Sequence, residues 1–250
     1  MQSPKKGPPA RAALGALLFA MTFPTLAAWS YFLALAGPQD QPNSGQQAAY
    51  VAGKIIQFAL PLVFWAVAER RILPVRSANR GTVMPYIRHG LVFGLFVVVL
   101  MLGVYFGTLR GSEMFQRTSE QLQRKLQQFN MATPTRYAAL AAFVVGLHSL
   151  LEEYYWRWFV FGQLRKFAAL GAAVVLSSAA FMAHHVIILY VYLPGRFWTA
   201  ALPFSLAIAV GGAVWAWLYE RSGSLWPSWL SHLLIDAGIF VIGWDLLWPL

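Results

Sequence analysis

The chain has 250 residues, of which 58% are hydrophobic and 11% charged. A soluble domain carries about 25% charged residues, so this balance excludes an ordinary soluble enzyme and points to an integral membrane protein: all-α, a polytopic transmembrane helical bundle in contact with the lipid bilayer. The net charge of +10 has no basic face of a soluble domain to sit on, which argues against nucleic acid and for loops facing anionic lipid, while the lack of cysteine excludes disulfides, thiolate catalysis and Cys-ligated metal sites.

The apolar runs predict about seven spans, at roughly 12–36, 48–69, 88–109, 135–164, 168–193, 197–219 and 225–249. Lys5, Lys6 and Arg11 precede the first run, which is too long for the core of a signal peptide; an uncleaved span is expected. Pro24, Pro61 and Pro203 fall inside spans and predict kinks. Between the third and fourth spans, residues 111–130 are polar and basic, with Phe115, Leu122, Leu126 and Phe129 forming an apolar stripe. Such a pattern fits one interfacial or re-entrant helix, or else a solvated helix joining two spans.

Charge bias sets the expected orientation. With the N-terminus inside, the inner segments hold Lys5, Lys6, Arg11, Arg70, Arg71, Arg76, Arg80, Arg88, Arg165, Lys166 and Arg221. The outer ones hold Arg110, Arg117, Arg124, Lys125, Arg136 and Arg196, and the 37–47 loop has no Lys or Arg. The expectation is a bacterial inner (plasma) membrane with the N-terminus cytoplasmic. Two domains are expected: residues 1–134 as N-terminal transmembrane helices with an amphipathic connector, and residues 135–250 as a helical core.

The chemistry concentrates in the second half. In Leu150-Leu151-Glu152-Glu153-Tyr154-Tyr155-Trp156-Arg157 two carboxylates and a guanidinium interrupt an apolar run. Ionisable groups inside a span are costly and mark functional sites. Glu153 and Arg157 are four apart on a helix and predict an ion pair; Glu152 then points about 100° away and is free for other work, with His148 one turn before it. A purely structural ion-pair staple is the plainer alternative. Further on, Phe181 and His185 share a helix face, His184 looks elsewhere, and His232 and Asp236 share a face at a spacing of four. Each histidine alone reads equally as a satisfied core group. Together the set offers a carboxylate base, two imidazoles and a further carboxyl, which suits activation of water and its addition to a carbonyl. One Glu and two His also match a zinc set, but the His-Glu-x-x-His signature is absent, so the cofactor stays open: none is required by a glutamate mechanism, and a divalent metal such as zinc is compatible.

At these residues the sequence resembles the CPBP family, also called the type II CAAX prenyl protease or ABI family of intramembrane proteases. Its three motifs, Glu-Glu-x-x-x-Arg, Phe-x-x-x-His and His-x-x-x-Asn/Asp, stand here in order at 152–157, 181–185 and 232–236, inside successive spans. The lead-in from Gly223 to Ser231 is similar too, and the resemblance covers roughly residues 140–240. It implies an intramembrane endopeptidase in which Glu152 activates water, His185 assists proton transfer, His232 and Asp236 stabilise the oxyanion, and Glu153 and Arg157 support the geometry. Its substrate would be a membrane-associated protein or peptide. Two positions depart from the pattern. Position 236 is Asp where Asn is common, so this residue must donate as an acid or else orient His232. Trp158 follows Arg157 where many members have Gly, which alters the shape of the cavity.

Two other classes fit the same ionisable residues. A proton- or ion-coupled transporter would use Lys54 as a counter-ion to the intramembrane acids, although no repeat links the two halves. A non-catalytic membrane scaffold would keep the motifs for helix packing alone.

Overall fold

The computed structural model describes residues 10–36, 44–69 and 80–249, which form eight helices and no strand. In chain order they are α1 (10–34), α2 (44–69), α3 (Arg80–Leu109), α4 (Glu113–Gln128), α5 (134–164), α6 (Leu170–Tyr192), α7 (Phe197–Ser222) and α8 (Trp226–Leu247). All but α4 and α5 are long and apolar enough to cross a bilayer, six helices in total. The protein is thus an all-helical integral membrane protein, as its backbone must be if every N–H and C=O is to be satisfied within lipid. The loops bearing Lys5, Lys6, Arg70, Arg71 and Arg76, and most of the 37–47 loop, lie outside the described residues.

Local signals explain several boundaries. Ser112 caps α4, accepting from the Phe115 N–H, with Glu113 in the first turn and Lys125 in the last, each at the end that the helix dipole favours. Thr133 caps α5 ahead of Pro134, whose missing N–H would have been unpaired in the first turn anyway. Gly223, at φ +66°, ends α7 in the left-handed conformation. α3 begins well before the span expected from residue 88, because a helix with Arg80, Pro85 and Arg88 in its first turns is too polar there to read as a span.

Helix packing sets the topology. A Cβ on Gly90 would collide with the Pro227 carbonyl oxygen, and one on Gly94 would lie 3.0 Å from that of Ser231. The Gly90-x-x-x-Gly94 step lets α3 and α8 touch backbone to backbone, a contact that membrane helices favour because apolar side chains gain nothing by leaving lipid. Farther along, Gly238 faces Val98 and Met101, and Asp245 meets Tyr105. The paired numbers rise together, so α3 and α8 run parallel. α5 meets α8 in the opposite sense: Tyr137 Oη donates to Phe240 O, while Trp229 Nε1 donates to Gly146 O. The path from the end of α3 returns to the same end of the bundle through α5, α6, α7 and α8, so α5 traverses the bundle with the six apolar helices. It is the polar element of the set, and the side chains of its second half, including Tyr155, Trp156, Phe159 and Phe161, are buried against other helices.

α4 lies across the end where α1, α3, α6 and α8 finish. Thr118 Oγ1 donates to Tyr192 O at 2.9 Å, Ser119 Oγ donates to Leu246 O at 2.7 Å, and Lys125 sits over the Tyr31 ring. These bonds satisfy carbonyls that a helix C-terminus leaves unpaired. Of the predicted stripe, Leu126 is buried.

Candidate active site

α5 changes its winding around the two glutamates. Residues Ser149–Glu153 are α-helical, and π-helical turns lie on both sides, at Phe143–His148 and Tyr154–Phe161. Such wide turns rotate the side chains that follow and are frequent at functional sites.

Glu153 is fully buried and bridges two partners. Its Oε2 is 3.2 Å from Arg157 Nε, the predicted ion pair. Its Oε1 is 2.8 Å from His232 Nδ1 on α8. The pair with Arg157 is close but poorly aligned: Glu153 Oε2 and both terminal nitrogens of Arg157 make no hydrogen bond. The guanidinium is held instead between the rings of Phe181 and Trp215, 4.7 and 4.9 Å from their centroids, where the π faces attract a cation.

His232 is fixed from several sides. Trp215 of α7 stacks on it at 4.2 Å and 17°, and Trp215 Nε1 is itself anchored on Ser231 Oγ at 3.0 Å. With Nδ1 taken by Glu153, Nε2 looks toward Asp236 at 3.6 Å and Glu152 at 3.8 Å. Glu152 also lies 3.9 Å from His148 Nε2. Glu152 is 4% exposed and its carboxylate makes no hydrogen bond among the described residues. Separations of 3.8–3.9 Å are too long for a direct hydrogen bond, so the carboxylate faces both imidazoles without being tied to either.

His185 is joined to the group through Phe181. Its Nδ1 bonds the Phe181 carbonyl at 2.9 Å, and its ring meets that of Phe181 at 4.7 Å; Phe181 in turn lies 6.2 Å from the His232 ring. When Nδ1 carries the proton, the lone pair is left on Nε2. His185 makes no contact with Glu152 at ion-pair distance among the described residues. His184 turns the other way, stacked on Trp156 with Nδ1 unpaired. Trp158 stacks on Tyr154 at 5.2 Å.

Glu152, Glu153, Arg157, His232 and Asp236 therefore meet at one place, with His185 one ring away. Sequence reading missed the Glu153–His232 bond and the aromatic clamp from Trp215, because both cross between helices and leave no mark on local spacing. Among the described residues no group of three or more His, Asp or Glu side chains is arranged to hold a metal ion.

Residues 133–238 match the family model described as Rce1-like, type II CAAX prenyl endopeptidase, the family that the three motifs resemble. The match spans every one of the residues just described on α5, α6, α7 and α8, and leaves α1 to α4 outside it. No curated protein and no solved structure matches the chain.

Proposed function

We propose, on the match of residues 133–238 to the Rce1-like protease family model, that this chain hydrolyses a peptide bond in a membrane-associated protein or peptide with water activated by Glu152. The observation that carries the reading is the Glu152 carboxylate, buried and facing the imidazoles of His148 and His232 at 3.9 and 3.8 Å without a direct hydrogen bond to either.

Glu152 takes a proton from the water as its oxygen adds to the scissile carbonyl. The oxyanion forms beside His232. When that ring is protonated both nitrogens donate, Nδ1 to Glu153 and Nε2 to the oxyanion, while Asp236 as the acid supplies a second donor. Collapse of the tetrahedral intermediate breaks the C–N bond. The leaving amine collects the proton from Glu152, with His185 assisting the transfer. Glu153 and Arg157 act through His232: one holds the ring's tautomer, the other holds Glu153. Residues 135–250 form the catalytic core in this reading. The charge bias supports a cytoplasmic N-terminus, and the proposed membrane is a bacterial inner membrane. In that orientation Glu152, which is nearer the C-terminal end of α5 than its start, would lie in the cytoplasmic half.

The test compares membrane proteomes of cells carrying wild type and Glu152→Gln. Proteins shortened at a terminus should occur with wild type alone. Full cleavage of an identified substrate by Glu152→Gln would overturn the assignment.

A further inference from the structure

The stretch of α2 that faces the site carries two donors, Lys54 and Gln57, that meet no carboxylate at bonding distance among the described residues. Lys54 reaches no carboxylate within ion-pair distance among the described residues; its Nζ touches only Gln57 Oε1, at 3.4 Å, and the face of the Phe58 ring, at 5.4 Å. Gln57 is 2% exposed, and its Nε2 is a buried donor without a partner. Gln57 lies on the buried stripe with Gly53 and Pro61, and Lys54, half-buried, stands beside it. Phe58 packs its ring on His148 and on Tyr155, so this stripe lies against the part of α5 that bears Glu152.

An ammonium and an amide N–H side by side in a span are expensive unless an anion meets them. The geometry points to a carboxylate-binding subsite formed by Lys54 and Gln57, which anchors a carboxylate of the substrate beside the water-activating glutamate. The ammonium supplies charge and the amide a directed hydrogen bond, together matching the two oxygens of one carboxylate. The subsite lies on α2, outside the residues that match the protease family, so it would set which substrates this chain accepts rather than the chemistry. The inference rests on the proposed proteolysis for its placement, but its ligand chemistry is separable from it. The carboxylate has two sources, the free C-terminus of a peptide or an acidic side chain near the scissile bond.

Three fluorescein-labelled apolar decapeptides of one sequence distinguish these: the free acid, the C-terminal amide, and the amide with a Glu near its end. Binding is read by anisotropy to the full chain in detergent micelles, in the Glu152→Gln background so that no peptide is consumed. The free acid should bind roughly 10- to 100-fold tighter than the plain amide, the range expected for hydrogen bonds to a charged group. Adding Lys54→Met should erase that gap and leave the amide unchanged; Lys54→Arg should keep most of it, and Gln57→Leu should narrow it. If the Glu-bearing amide binds like the free acid, a side-chain carboxylate suffices; if it binds like the plain amide, the C-terminus is the ligand. Equal binding of all three peptides, binding of none, or a carboxylate-dependent gap that survives Lys54→Met with the fold intact overturns the subsite. Cleavage by wild type separates the two readings. A chain that cleaves acid and amide alike keeps the protease and loses the subsite. One that shows the binding gap yet cleaves nothing does the reverse.

Discussion

At the end of the bundle covered by α4, Asp245 accepts from Arg110 Nε at 3.0 Å, from Arg110 Nη2 at 2.7 Å and from Tyr105 Oη at 2.8 Å. Deeper in, among the described residues, the Glu152 carboxylate has no hydrogen-bond donor at bonding distance, its nearest charged or imidazole neighbours standing at 3.8 and 3.9 Å, and Arg157 leaves two nitrogens without a hydrogen bond. Both are acids on helices that cross the bundle, and both lie near arginine. The first engages both its oxygens in tying α3 to α8, at the end of those helices away from the Gly90-x-x-x-Gly94 contact. The second withholds bonds that protein groups nearby would otherwise fill. Buried polar groups are normally satisfied, so the cluster with vacancies is the one arranged for something other than packing.

The sharpest break between the two is Glu152→Gln. It should lower the rate of cleavage about 10²- to 10⁴-fold, the usual worth of a general base. The unfolding midpoint in detergent should barely move, because no partner is stranded. A large loss of stability would make Glu152 a structural acid like Asp245 and dissolve the contrast.

Glu153→Ala comes next and acts on the fold. It strands Arg157, which is 2% exposed, and frees the His232 ring. Removing one partner of a buried pair costs about 3–5 kcal/mol, to be read as a fall in the thermal midpoint. Activity per folded molecule should fall as well, since His232 loses its orienting bond. Asp245→Ala is milder, at about 1.5–3 kcal/mol. Arg110 is 42% exposed and can return its charge to water, which leaves Tyr105 as the buried loser. Here the activity per folded molecule should be unchanged.

How much of this could be read from the chain follows the range of each interaction. The helix pattern survived well because apolar periodicity is local: the runs predicted at 135–164 and 197–219 stand as helices over 134–164 and 197–222. The Glu153–Arg157 and His232–Asp236 pairs were visible for the same reason, being four apart on one helix. The bond from Glu153 to His232 was not, since its partners are far apart in sequence and meet only when α5 packs antiparallel to α8. The pairing of Glu153 with Arg157 was therefore legible, while its second partner, His232, was not. Gly90-x-x-x-Gly94 was readable and went unread: its spacing is a known sign of close helix contact, and it identifies α3 as the neighbour of the helix carrying His232. The identity of the substrate has no such local sign, because a binding site is assembled from side chains on separate helices.

The smallest expected effect tests whether charge alone, without burial, earns a place in the comparison. On the outer side of α4, Arg117 Nη2 lies 2.5 Å from Glu113 Oε1, as short as any charged contact at the buried sites. Both side chains are about 60% exposed, so water and salt screen the attraction, and unfolding strands neither group. Exposed pairs four apart on a helix contribute about 0.3–0.5 kcal/mol. Arg117→Ala should therefore shift the midpoint by no more than that and leave cleavage unaltered, and raising the ionic strength should shrink even this difference. A larger effect would mean that α4 is held onto the bundle by its charges. Its hydroxyl bonds to the Tyr192 and Leu246 carbonyls and the burial of Leu126 argue otherwise, because those contacts stay intact when the arginine is gone.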